Sequence, residues 1–467
     1  MKSVRHILLS GLVFALATGC QTSPPSSQNE LPEVRALIPD TWSQPVLSGT
    51  FSTNWLEDLG DEQVLELIQT AFEKNPSLRA AVSRLQQAEA NAQIVGAVRY
   101  PTLNLALAGN KQKFLFSGIG RFEASNYNLA LSSRWEIDVW GKIRDRRRVA
   151  LGNLEAAGYD LEAVRLSIVS QVCKAWFNAK EALFQYRLAV DTAESFTANL
   201  KTLEKRYERG LTDAFDLRLS RAQAASARAV VQTRKTVFDG TVRLLETLLG
   251  EYPGAGIEIS DTLPLAMKPI PAHLPASLLE QRPDLKAVER RLAALSSNWD
   301  AARKNRLPAL DLTGSIGTAS EDLRDLVDVD FTVWSLAGNL AASIFQGGSL
   351  EGEQNLAEAQ FQEQLAHYES AILNAFREVE SALANHEFFS ELEAEVGAAA
   401  EQNAKALDQA WDLYERGLID IIAVLEAERR SFTTRSDHIL AINQIVQNRI
   451  DLHIALGGGF NGEGINL

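Results

Sequence analysis

Residues Tyr127 to Val139 read YNLALSSRWEIDV, and apolar side chains fall on alternate positions. Tyr127, Leu129, Leu131, Trp135, Ile137 and Val139 form one set; Asn128, Ser132, Arg134, Glu136 and Asp138 form the other. A period of two belongs to a β-strand, whose successive side chains point to opposite faces, here one apolar and one polar. Leu103, Leu105 and Leu107 alternate in the same way after Pro101, so the two runs predict a strand pair joined by a polar loop holding Gly118 and Gly120. A second pair is predicted from Leu310, Leu312 and Ile316, followed by Trp334, Leu336, Leu340 and Ile344 against Ser335, Asn339 and Ser343. The acidic stretch SEDLRDLVDVD, from Ser320 to Asp330, joins the members of that pair.

Adding 207 to Tyr127, Leu129 and Ile137 lands on Trp334, Leu336 and Ile344. The same offset relates YERGL at Tyr207–Leu211 to YERGL at Tyr414–Leu418, Asn75-Pro76 to Arg282-Pro283, and Leu249-Gly250 to Leu456-Gly457. The chain is therefore read as a tandem duplication, with one copy at 55–250, a Pro/Gly-rich linker at 251–276, a second copy at 277–460 and a tail at 461–467. In mid-copy, Ala175-Trp176 also aligns with Ala375-Phe376 at an offset of 200, which would be a slip of about two helical turns.

All 14 prolines lie at or before Pro308, and none falls between Pro101 and Pro253. Proline breaks helices and central strands, so two long stretches are free to form uninterrupted elements. After Gly141 and Gly348 the period becomes helical; Phe361, Leu365, Tyr368, Ile372, Phe376, Val379 and Leu383 step by three and four. Gly141 to Gly210 would give a helix of roughly 100 Å, although Gly152, Gly158 and Gly397 suggest stacked pieces. In YERGL, Gly210 and Gly417 suit a left-handed helix end. Arg209 and Arg416 place positive charge at the dipole's negative end, and Asp213 and Asp420 suit N-caps of a returning helix. The motif predicts a tight helix-to-helix turn, once per copy.

At the amino terminus, Lys2 and Arg5 precede the apolar run Ile7 to Ala17 and then small residues, the layout of a secretory signal over 1–19. Residues 20–54 begin with Cys20 and a Pro/Ser-rich stretch suited to a tether. The chain carries 46 basic and 60 acidic side chains, a net charge of −14 that excludes nucleic acid as an expected partner. Leu16-Ala-Thr-Gly-Cys20 resembles the lipobox of bacterial lipoproteins, which implies an acylated Cys20; that would leave Cys173 alone of the two cysteines, so no disulfide framework is expected. No apolar run beyond the signal is long enough for a membrane-spanning helix. Scattered histidines, with no HExxH, GxSxG or phosphate loop, argue against an enzyme, a cofactor or a metal site. GxGxxG at Gly457–Gly462 has no room for a following helix. Met267 is the only methionine beyond the signal, which argues against a soft-metal path. The basic run Lys142–Arg148 would face inner-leaflet phosphates or form a solvated helix start.

Together, Leu16–Cys20, WEIDVWGK at Trp135–Lys142, LLGEYPG at Leu248–Gly254, Arg282-Pro-Asp-Leu285, FQGG at Phe345–Gly348 and ALGGGF at Ala455–Phe460 resemble the TolC-type outer-membrane efflux channels, in their lipidated OprM/NodT-like branch. The resemblance covers nearly the whole mature chain. It implies a mainly α fold with a small β part: a long α-helical barrel, and a transmembrane β-barrel built by a homotrimer from four strands per subunit. It implies lipid attachment at Cys20 in the outer membrane, and partners in a periplasmic adaptor and an inner-membrane pump. The adaptor would meet the two turns at Tyr207, Gly210, Leu211, Tyr414, Gly417 and Leu418. A periplasmic gate would be formed by an apolar ring of Ile422 and an acidic ring of Glu426, with Arg429, Arg221 or Arg218 as partners.

The function expected is passive export of small amphiphilic compounds or drugs. The alternatives are a type I protein-secretion channel, or a periplasmic coiled-coil scaffold whose alternating runs pack as a soluble sandwich.

Overall fold

The computed structural model describes residues 39, 41–43, 56, 61–116, 120–260 and 281–458. In chain order these form α1 (Gln63–Lys74), α2 (Pro76–Ala97), β1 (Thr102–Phe116), β2 (Gly120–Ile137), α3 (Lys142–Glu208), α4 (Ala214–Leu249), α5 (Pro283–Lys304), β3 (Ala309–Ser320), β4 (Thr332–Ala341), α6 (Ser349–Glu415) and α7 (Ile421–Ala455). Cys20, the signal segment and the tail at 461–467 lie outside the described residues, as do 261–276 of the linker.

The duplication is written into element lengths. Helices α2 and α5 have 22 residues each, and α3 and α6 have 67 each, with starts displaced by the same 207 positions. Equal lengths at one offset show no net insertion between the helix ends, which favours a single offset of 207 over the local offset of 200 at Ala375-Phe376. The stacked-piece expectation is also corrected: α3 runs unbroken through Gly152 and Gly158, and α6 through Gly397.

Tertiary contacts repeat as well. Asn75 Nδ2 donates to the Leu248 carbonyl at 2.7 Å, and 207 residues on Arg282 Nη1 donates to the Ala455 carbonyl at 3.1 Å. Gly250 and Gly457 sit beside those acceptors with φ of 76° and 94°. A Cβ on Gly250 would stand 2.5 Å from the Lys74 carbonyl oxygen, and one on Gly457 3.0 Å from Gln281 Cβ. Only glycine allows both the left-handed backbone and that approach.

The described chain divides into two units. One holds the described residues within 89–154 and 290–369, and the other those within 39–88, 155–289 and 370–458. In the first, four antiparallel strands lie in the order β1-β2-β3-β4. Cross-strand partners share a face. Leu105 pairs with Leu131, Leu131 with Ile316, and Ile316 with Trp334, giving an apolar row across the whole sheet. The adjacent row on the opposite face is polar: Asn104, Ser132, Ser315 and Ser335, with the last two hydroxyls 2.8 Å apart. The alternation therefore holds in all four strands at the positions that predict it; beyond Gly109 the same face of β1 carries Lys111 and Lys113. Val139 and Ile344 do not take part, because β2 ends at Ile137 and β4 at Ala341.

The WEIDVWGK segment explains how β2 becomes α3. Trp135 Nε1 donates to the Arg99 carbonyl at 3.0 Å, and Trp140 Nε1 to the Pro308 carbonyl at 2.7 Å, so each indole fixes the start of a strand. The Asp138 carboxylate accepts from the Ile143 and Arg144 amides at 3.0 and 2.8 Å, satisfying helix-start donors that would otherwise lack partners. Within the basic run, Lys142 pairs with Glu136, and Arg148 with Asp145 at 3.2 Å.

In the second unit, Val64, Ile68, Val172, Trp176, Phe177, Leu245, Val446 and Ile450 form one apolar core. A second core, near the helix turns, joins Phe196 and Leu203 of α3, Ala224 of α4, Tyr414 of α6 and Val424 of α7.

Candidate functional site at the helical turns

Both YERGL segments close their helices in the same way. Leu211 N–H donates to the Arg206 carbonyl and Gly210 N–H to that of Tyr207, each at 2.9 Å. Leu418 likewise bonds Leu413 at 2.9 Å, and Gly417 bonds Tyr414 at 3.0 Å. These crossed bonds satisfy carbonyls at the helix end and need a left-handed residue, supplied by Gly210 (φ 67°) and Gly417 (φ 74°). Asp213 then accepts from the Asp216 amide at 2.8 Å and Asp420 from the Ala423 amide at 3.0 Å, starting the return helices.

The copies differ in what the turns expose. Tyr207 is 43% exposed, whereas Tyr414 is 7% exposed and belongs to the core beneath the turns. Leu211, Phe215 and Leu418 are exposed. The turns thus end in an apolar surface with one tyrosine on it and one below it.

Ile422 lies in the first turn of α7 and is half-exposed. One turn further on, the Glu426 carboxylate accepts from Arg429 Nη2 at 2.7 Å and Arg430 Nε at 2.8 Å. Hydrogen bonds from these two guanidinium groups hold Glu426 down to about 2. Of the three arginines expected as alternative partners, Arg429 pairs with Glu426 within the one chain. Arg221 pairs with Glu204 at 2.9 Å. Arg430 was not foreseen, although its spacing of four from Glu426 is a familiar helix pairing.

Two further features escaped the sequence reading. The Arg206 guanidinium lies 4.7 Å from the Tyr414 ring centroid. Glu428, two residues past Glu426, is buried, and its position in the sequence gives no sign of this.

A helix-turn-helix pair repeated in one chain, with a sheet apolar on one face and polar on the other, fits a channel subunit that spans a membrane by strands. Among the described residues, no helix is long and apolar enough to cross a membrane. The model of the family described as "Outer membrane efflux protein" matches residues 67–251 and again 274–458, and the chain belongs to that family. It is similar to outer membrane protein OprJ of Pseudomonas aeruginosa, 30% identical, with 98% of this chain and 97% of OprJ covered. Cation efflux system protein CusC of Escherichia coli K12 is 29% identical, with 97% of this chain and 99% of CusC covered. The solved structure of the outer-membrane channel OprN matches with a TM-score of 0.84 at 25% identity, over 90% of this chain and 98% of OprN. The protein is an outer-membrane efflux channel, and its family is one of conduits rather than enzymes.

Proposed function

We propose that three copies of the chain close one twelve-stranded barrel in the outer membrane and that their helices form a periplasmic duct. The observation that carries this is the apolar row Leu105, Leu131, Ile316 and Trp334 on a sheet whose outer strands, β1 and β4, each pair on one side only among the described residues. Unpaired strand edges are excluded from lipid, and joining β1 of one copy to β4 of the next removes them. Cys20, acylated, anchors each subunit.

The turns are the ends that a periplasmic adaptor grips, through Tyr207, Gly210, Leu211, Gly417 and Leu418, with Tyr414 supporting them from below. Ile422 and Glu426 are the gate. Each subunit brings one carboxylate and two guanidinium groups to this level, so the rings hold ion pairs rather than bare carboxylates. Adaptor and inner-membrane pump together bias α7 outward, and the work comes from differential contact with the open and closed states. The cargo is small amphiphilic compounds. CusC is named for cations, but this chain has a single methionine, Met267, beyond its leading segment, which gives little soft-ligand chemistry for such a path.

Cysteines in place of Asn104 on β1 and Ala337 on β4 test the closure. Disulfide-linked ladders ending at three subunits are expected. Products that remain monomeric under oxidising conditions, with neighbouring pairs such as Ala106 and Ser335 equally unlinked, would refute it.

A further inference from the structure

On α7, Glu428 lies about 200° around the helix from Glu426 and points inward, with 4% of its surface exposed. Asn199 of α3 donates to its Oε1, and Ser195 of α3 and Trp411 of α6 approach the same carboxyl as donors. Its Oε2 is buried and has no hydrogen-bond partner. The carboxyl lines a cavity of about 90 Å³ together with Asp191, Thr192, Ser195, Ser431 and Arg435. At ~30 Å³ per molecule this has room for a few waters. The charged groups sharing the cavity are Asp191 on α3 and Arg435 on α7, while α6 presents Leu407 and Trp411.

A buried carboxylate with one oxygen unsatisfied is costly, whereas the neutral acid keeps its bond from Asn199 and carries a proton on Oε2. Burial outweighs the donors and pushes Glu428 up to about 7.

We propose that Glu428 is a proton-binding site in the tip wall that acts as a latch: protonated, it packs α7 against α3 and α6; ionised, it hydrates the cavity and loosens α7. On ionisation the proton passes from Oε2 to cavity water and on to solvent. The effect on transport rests on the reading of Ile422 and Glu426, on the same helix, as the gate. The raised value sets the sign. The packed tip is fully favoured below the ordinary carboxyl value of 4.5 and loses that advantage as pH rises through about 7.

The test measures amide hydrogen exchange of 424–432, corrected for its intrinsic pH dependence, and planar-bilayer conductance of the full chain. In wild type, protection should fall on the order of tenfold from pH 5.5 to 8 while conductance rises. Glu428→Gln should keep high protection and low conductance at every pH. His438→Gln, which removes a histidine of α7 bonded to Glu393, should leave the wild-type response in place. Asn199→Ala removes a donor that favours the anion, so it should move the midpoint upward. Equal pH slopes in wild type and Glu428→Gln, or an unmoved midpoint in Asn199→Ala, would overturn the latch. A Glu428-dependent change in protection with flat conductance would keep the latch and remove the gate assignment.

Discussion

The Arg206 guanidinium lies 4.7 Å from the centre of the Tyr414 ring, joining the last turn of α3 to the last turn of α6. This contact crosses the two copies, and it has no twin: the residue 207 positions after Arg206 is Leu413. A cation over an aromatic face is worth about 1 kcal/mol at a partly exposed site. It therefore separates the roles of two tyrosines that the sequence writes identically. Tyr414→Ala should loosen both turns by roughly 3 kcal/mol through lost core packing, whereas Tyr207→Ala should cost under about 0.5 kcal/mol. Protease nicking at 205–216 and 412–423 reads the difference, and equal sensitivity of the two variants would contradict it.

The turn glycines give a second expectation. Gly210→Ala and Gly417→Ala each force a side chain into a left-handed backbone, at a cost of about 1 to 2 kcal/mol. Asp213→Ala and Asp420→Ala each lose an N-cap bond, at a cost of about 1 kcal/mol. Hydrogen exchange should rise locally in the first turns of α4 and α7 and leave the core around Trp176 unchanged.

The sheet predicts an asymmetry between its faces. Ile316→Lys places a charge in the apolar row and should cost about 2 to 4 kcal/mol if that row meets the hydrocarbon midplane. Ser315→Lys, one residue away on the opposite face, should assemble nearly as wild type. Yields of protein in the outer-membrane fraction compare the two, and equal yields would contradict the facing.

Glu426 supplies a pH expectation of opposite sign to that of Glu428. Its depressed value means that its pairs with Arg429 and Arg430 contribute above the ordinary carboxyl value of 4.5 and are lost as pH falls through about 2. Glu426→Gln should therefore alter conductance by the same factor at pH 5.5 and at pH 8. A factor that changes across that window would show that Glu426 itself titrates there.

Much of this architecture is legible in the sequence because its signals are local. Strand facing follows from a period of two, the YERGL turns from a glycine and a capping aspartate, and the duplication from a fixed offset shared by element starts. The sequence reading failed where distant elements decide the outcome. The burial of Glu428 depends on α3 and α6 packing over it, and neither its neighbours nor its spacing announces this. Likewise, the pairing of Arg221 with Glu204 joins α4 to α3, and spacing along α4 does not announce it. The strand ends were missed because Val139 and Ile344 keep the alternating pattern beyond the last paired residue.

The central claim is a pore that the helical tip holds shut, and conductance in planar bilayers tests it most directly. Purified wild-type protein should show small, infrequent openings, and Ile422→Ser with Glu426→Ala should show a severalfold larger conductance at the same pH and salt. Indistinguishable traces would contradict closure at Ile422 and Glu426, and the absence of any conductance in both would contradict the pore itself.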